Sequence, residues 1–571
     1  MGEVPAGPWA GGPVWPHPFR LPSGTSLRFA LLILSVSTAM AWSIGGMVGS
    51  AAYFVRGGDL RALTGSIACA SADTAERTVP LAVPPDCDPP SVGSDFAFEL
   101  AALAALALVV GVTYWLLPVH RLRHRRLRPL RAEAHPEVER LLTALVARAG
   151  LRCRVRFVVD WRDRRPAGLA FGRVGRRHVM LSGGLLRLHR LDPQAFEAIV
   201  LHELAHLRNR DVDIAFLTLI CNRLFLVAFA APTAVLAPFA LLVGVMLFPG
   251  LLPYQLLGIV TQCALAVTVA HTSSAVLRSR ELYADARVAL WTSGAHPLRR
   301  LLATQHGIES AGRRPPLFLR THPSAARRLR ALDDTRLLFG MSTWEAFGLA
   351  LSCSLVYQQV AQWAEQATGL ARPGSALSAV VPSLLLGGGL AAGVWRVTLA
   401  AHVRHTRWAG AHRTGLAVGG GLVLGALGDE EHRTALSMGI ADSVLVGLTW
   451  SLLLCAVGYA FVRWNAVTAR VWAPVVLSSR RPALPVLAGC AAGVVLLSFW
   501  LGHAYDAGQP GFDLLPLPAP LDTLPSPFDY LGMVFALAVV TTPAPGVLAV
   551  VGLTVGLPLA AGAGERFSRR R

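Results

Sequence analysis

Uncharged apolar runs long enough to cross a bilayer recur from one end of this 571-residue chain to the other. A helix needs roughly 20 such residues to span the hydrocarbon layer. Candidate stretches are 29–54, 97–117, two between 214 and 277, then 345–363, 376–400, 414–428, 437–462, 483–502 and 530–562. The run at 414–428 is short and Gly-rich, and 530–562 is interrupted by TTPAPG. Composition agrees, with 53% hydrophobic and only 15% charged residues. The pattern predicts a polytopic α-helical membrane protein of about ten transmembrane helices. The first run lacks a small-residue cleavage pattern at its end and reads as a retained anchor.

The net charge of +19 would suggest a nucleic-acid partner in a soluble protein. Here the arginines cluster between the apolar runs, and no aromatic stacking pattern accompanies them, so they report topology instead. The basic set contains no lysine, and with the Ala, Gly and Pro richness this suits GC-rich bacterial coding. HRLRHRRLRPLR, His120 to Arg131, places residue 120 onward in the cytoplasm and residues 56–96 outside. That outer loop holds Cys69 and Cys87, a pair placed where a disulfide can form, whereas the other six cysteines read as free thiols. Later loops alternate: AHVRHTRWAGAHR and the stretch with Arg463, Arg470, Arg480 and Arg481 are basic, GDEEH is acidic, and 503–529 lacks arginine. The expectation is a multi-pass plasma-membrane protein with both termini in the cytoplasm.

Three domains are expected on these grounds: a two-span anchor over 1–131, a mostly soluble domain over 132–341 interrupted by a transmembrane hairpin at about 214–277, and a membrane region of about six spans over 342–571. Within the second, PEVERLLTALVARAG reads as an amphipathic helix ended by Gly150, and CRVRFVVDW, LAFGRV and HVMLSG as strands. Asp192-Pro193 reads as a cap and first residue of a helix bearing Phe196, Ile199, Val200, Leu204 and Leu207 at helical spacing.

That helix contains HELAH. Positions i and i+4 share a face, so His202 and His206 can offer two imidazole nitrogens to one ion. Glu203 is placed to reach a metal-bound water as general base. By itself the spacing also fits an ordinary amphipathic helix. A third ligand is available in RSRELYADARVAL, where Glu281 can complete a His-His-Glu set and Asp285, one turn on, can fix the tautomer of a ligand histidine.

GGLL (Gly183 to Leu186), HELAH with its trailing Asn-Arg-Asp, the hairpin, RSRELYAD and THPSAARRL occur in the order found in the M48 family of integral-membrane zinc metallopeptidases. Over roughly residues 95–335 the chain resembles that family, the bacterial HtpX-like branch best and the CAAX-protease type more loosely. The resemblance implies a cytoplasmic α+β zincin-type domain with one Zn2+ per chain, held by His202, His206 and Glu281. It implies Glu203 as general base, Asp285 as partner of a ligand histidine, and His322 and Arg328 as stabilisers of the oxyanion. It further implies an endopeptidase acting on membrane or unfolded proteins in quality control, with an edge strand at Leu169, Ala170 and Phe171 that pairs with the substrate. The family usually has Asn-Ala-Phe there, so one side chain of the cleft differs.

A second departure is the membrane region beyond residue 341, which carries Glu345, Gln358, Gln359, Gln362, Arg396 and Asp442. Intramembrane polar groups mark a pathway or partner site, or else sit at interfaces. Two other readings compete: a sensor-transducer of the related M56 membrane peptidases, and an inactive membrane scaffold. THPSAARR favours M48 over the first, and the intact ligand and base set opposes the second.

Overall fold

A computed structural model describes residues 18, 19, 21, 23–55, 96–130, 133, 135–247, 252–292, 296–310, 321–368, 375–427, 441–479 and 481–506. The outer loop with Cys69 and Cys87, the GDEEH loop and the expected span at 530–562 lie outside these residues.

In chain order the elements are α1 (Gly24–Val55), α2 (Phe96–His124), β1 (Arg128–Pro129), α3 (Pro136–Ala149), β2 (Val155–Asp160), β3 (Gly168–Arg173), β4 (Arg176–Ser182), α4 (Gly183–Leu191), α5 (Pro193–Asn209) and α6 (Asp211–Phe225). A π-helical turn at Leu226–Ala230 leads into α7 (Ala231–Leu247). Then come α8 (Leu252–Trp291), α9 (His296–Ser310), α10 (Ala325–Asp333), α11 (Thr343–Thr368), α12 (Ser375–Val403), α13 (Ala411–Ala426), α14 (Ala441–Ser478) and α15 (Ala483–Asp506).

Seven helices among the described residues are long and apolar enough to cross a membrane: Gly24–Ala41, Leu100–His124, Asp211–Phe239, Gln255–Trp291, Ser378–Val403, Trp450–Ser478 and Ala483–Gly502. Exposed Leu108, Val235 and Phe239 on them are what a lipid-facing surface presents. The expected span at 345–363 forms helix α11, whose glutamines lower its hydropathy, and 414–428 forms α13, whose 16 residues fall short of a full crossing.

The chain divides into two compact units. One comprises Met1–Ile33, Ala105–Leu224 and Val269–Gly340. Its sheet has the order β1-β2-β4-β3, with β2 parallel to β4 and β3 antiparallel to β4, so β3 is an edge strand. Phe171, Val179, Leu181, Phe196, Val200 and Leu204 are fully buried in its core, as the alternation of the strands and the helical spacing of α5 require. The local signals act as read: Gly150 ends α3 at φ 62°, and the Asp192 carboxylate accepts the Ala195 N–H at the start of α5. GGLL opens α4, and a Cβ on Gly184 would lie 2.1 Å from the Arg164 carbonyl oxygen, so only glycine lets that turn close on the preceding loop. The start of α1 is tied to α8 by Thr25–Ser279 and Gly24–Tyr283 hydrogen bonds.

The other unit comprises Leu34–Ala104, Phe225–Thr268 and Met341–Arg571. Here α13 packs against α11 and α14 through small residues. A Cβ on Gly421 would meet the Phe347 carbonyl oxygen at 2.3 Å, and one on Gly419 would meet Cys455 Cα at 2.7 Å. Such close backbone approach is how helices associate where lipid supplies no hydrophobic drive. Two polar residues of the expected span are explained by helix ends. Glu345 accepts the Ser342 N–H while Ser342 caps Trp344, and Gln358 donates to the Gly425 and Ala426 carbonyls at the end of α13. Gln359 and Arg396 also lie in described helices, whereas the side chains of Gln362 and Asp442 are outside the described set.

Candidate active site

On α5 the one-turn spacing stacks His202 over His206, with ring centroids 4.8 Å apart. From the far end of α8, Glu281 reaches both: its Oε2 is 3.4 Å from His202 Nε2 and its Oε1 3.6 Å from His206 Nε2. One ligand atom from each of the three residues lies within 4.8 Å of the others, and all three side chains are buried. A tetrahedral zinc with arms of about 2.1 Å sets its ligands about 3.4 Å apart. Two neutral imidazole nitrogens and a carboxylate at these separations fit that ion and leave its fourth position for water.

The histidines turn their Nε2 atoms to the shared point, and their buried Nδ1 atoms face aspartates. His202 Nδ1 lies 3.1 Å from Asp285 Oδ1. Asp285 is fully buried, and Arg328 grips it through two hydrogen bonds of 2.7 Å, Nε to Oδ2 and Nη2 to Oδ1. The family resemblance set Arg328 at the oxyanion; in the structure its guanidinium is engaged with Asp285. His322 is 70% exposed, with Nδ1 3.7 Å from Glu281 Oε2, so it stands at the open side of the cluster.

Glu203 comes directly after the first histidine and points to the sheet edge. Its Oε2 accepts the backbone N–H of Ala170 in β3 at 2.6 Å. Leu169 is half-buried, and Phe171 is fully buried and stacked on His178. Strand pleating turns the outward backbone groups of Gly168, Ala170 and Gly172 to the free edge, since the Ala167 carbonyl bonds inward to the Ser182 N–H. His202, His206, Glu281, Glu203, Asp285, His322, Arg328 and the Ala170 backbone are therefore brought to one locus from α5, α8, β3, α10 and the segment leading into it, whereas the Phe171 side chain is turned into the core against His178.

Two further charged residues stand against it. Arg280 donates through Nε and Nη2 to Glu281 Oε1 at 3.1 and 3.0 Å, and Asp211 Oδ2 lies 3.6 Å from His206 Nδ1. Arg280 lies within RSRELYAD and Asp211 closes the Asn-Arg-Asp after HELAH, but spacing alone assigns neither of them a partner.

Burial and partners split the two histidines. Burial pulls His202 down, but Asp285 and Glu281 outweigh it and raise its pKa to about 9. His206 is held well below 6.5 by burial and then by the Arg280 charge, and its carboxylates are more distant. Burial raises Glu203 above the usual carboxylate range, the direction that suits a base which must also return a proton.

No solved structure matches the chain. The family comparison adds one match, and it spans both helices that carry the cluster. Residues 132–336 match the model of peptidase family M48, a family of metallopeptidases.

Proposed function

We propose that the protein is a membrane-bound zinc endopeptidase of the HtpX-like branch, cleaving membrane proteins or exposed unfolded segments at a cytoplasmic active site in quality control. The observation that carries this is the His202–His206–Glu281 arrangement, with Glu203 on the same helix and its carboxylate on the edge strand. Zinc, held by those three side chains, supplies an acidified water and polarises the scissile carbonyl.

The chain's own residues do the rest. A substrate segment pairs with the free edge of β3 through main-chain groups, so affinity does not require the missing asparagine side chain. Glu203 takes the proton of the attacking water on its carboxylate and gives it to the leaving amine. Asp285, fixed by Arg328, keeps His202 in the tautomer that leaves Nε2 free. His322, at the open side, reaches the negative charge that develops on the carbonyl oxygen. A ten-span topology with both termini inside is part of this reading, and the alternation of basic and acidic loops supports it.

The test is the zinc content of the detergent-purified protein, for wild type and Glu281→Ala, and then proteolysis with Glu203→Gln. About one zinc per chain in wild type, loss in Glu281→Ala, and an inactive Glu203→Gln that keeps its zinc are expected. Wild type without zinc after purification in supplied zinc would overturn the reading.

A further inference from the structure

The tripeptide Asn209-Arg210-Asp211, just past the second histidine, has no part in the mechanism above. Its geometry is unusual. Helix α5 ends at Asn209, and α6 begins at Asp211, so a single residue separates two helices. That residue, Arg210, has φ 61° and ψ 25°, a left-handed conformation seldom taken by a residue with a side chain. Its backbone N–H caps the His206 and Leu207 carbonyls, and Asn209 Oδ1 accepts the Arg287 Nε–H from α8 at 2.9 Å. The turn is thus fixed from both sides, in a conformation that residues adopt mainly where surrounding structure demands it.

What the turn achieves is to bring the first side chain of α6 back beneath the last turn of α5. Asp211 is 3% exposed, and its Oδ2 lies 3.6 Å from His206 Nδ1. Both atoms are buried and neither makes a hydrogen bond, so each faces the other as its nearest polar group of opposite character. An acid serving only the dipole of α6 has no need of burial. Asp213 in the same first turn is such an acid, paired with Arg177 and Tyr114.

We propose that Asp211 is the positioning residue of His206. Its carboxylate accepts the Nδ1–H, fixes the tautomer and the ring plane, and leaves Nε2 directed at the point shared with His202 and Glu281. Asp285 does the same for His202 at 3.1 Å. The two ligand histidines are therefore each held by a buried aspartate from a different helix, and the left-handed Arg210 is the local cost of supplying the second one. This rests on the zinc reading given above.

The experiment measures zinc affinity of the full-length protein in detergent by competition with a chromophoric chelator, for wild type, His206→Ala, Asp211→Ala and the near-isosteric Asp211→Asn. Thermal midpoints in excess chelator are recorded beside it. Asp211→Ala is expected to bind zinc roughly 10–100-fold more weakly than wild type, with Asp211→Asn between them, because loss of such an outer hydrogen bond has that effect. The visible absorption of the Co2+-loaded protein is expected to shift in both variants while their midpoints in chelator stay near wild type. Wild-type affinity in Asp211→Ala would overturn the proposal, as would weaker binding matched by an equal loss of stability in chelator with an unshifted Co2+ spectrum. A wild type that itself binds no zinc overturns the zinc reading, and that outcome is distinct because His206→Ala then makes no difference.

Discussion

Gly168 shows how tightly single atoms constrain the base. A Cβ there would stand 2.7 Å from Glu203 Cγ, in the space through which the carboxylate reaches the Ala170 N–H. Gly168→Ala is expected to displace Glu203 while leaving the three metal ligands in place. Peptidase kcat/KM should fall by about 100-fold, the usual effect of an ångström of misplacement, with zinc content unchanged. Parallel kinetics and metal analysis check it, and unchanged activity would show that Glu203 tolerates the shift. Arg328 is constrained by charge instead. Its side chain is largely buried on Asp285; burial pulls its pKa down, but the Asp285 charge and hydrogen bonds, with the Glu281 and Glu203 charges, together outweigh it, so the pair stays ionised. Arg328→Ala leaves the buried Asp285 carboxylate without its guanidinium partner and is expected to cost about 3–5 kcal/mol of stability, of which Arg328→Ala/Asp285→Ala regains a large part. Denaturation midpoints of the two variants in chelator decide this. At this scale His202 and His206 were legible because helical spacing places them on one face, whereas Glu281, on another helix, was legible through the order of motifs shared with family M48. The hydrogen bond from Ala170 was not, since a backbone N–H has no sequence signature, and the grip of Arg328 on Asp285 joins residues 43 positions apart.

Capping governs the elements. α5 begins at Pro193, well ahead of His202, and its first turn depends on the Asp192 carboxylate accepting the Ala195 N–H, with Pro193 in the position where no donor is needed. Asp192→Ala is expected to lower stability by about 1 kcal/mol. Because α5 is also held by buried Phe196, Val200 and Leu204, zinc content at room temperature should not change. A melting curve with and without chelator measures both, and zinc loss at room temperature would mean that the cap itself sets the site. The cap and the glycine stop of α3 were readable from sequence because they are local. The parallel pairing of β2 with β4 was not, since it joins distant segments and depends on the core they share. The second helix of the hairpin extends past its apolar run: α8 is unbroken for 40 residues to Trp291, so one helix carries apolar surface at one end and Glu281 and Asp285 at the other. Hydropathy changes near Arg278 while helical propensity does not, so the apolar run ends without a break in the helix.

For the whole molecule the question is which way the chain threads the bilayer, and the distribution of charge makes a prediction that is independent of packing. If positive charge stays inside, His120 to Arg131, the arginine-rich 278–341 stretch and AHVRHTRWAGAHR share one side, while GDEEH faces the other. Exposed Cys153, between α3 and β2, then belongs to the arginine side. In a variant keeping only that cysteine, a membrane-impermeant maleimide is expected to label it after permeabilisation of spheroplasts and not before. A second variant with Glu430→Cys as its single cysteine is expected to react in intact spheroplasts. Labelling of Cys153 from outside would invert the topology and move the peptidase site to the extracytoplasmic face, where unfolded cytoplasmic proteins are not substrates. Labelling of neither position before permeabilisation would leave the Cys153 assignment intact but place the GDEEH loop inside. The span count between the peptidase segment and that loop would then be even where the charge alternation makes it odd, and the fault would lie with α11 or α13, whose sequences carry the weakest membrane signal.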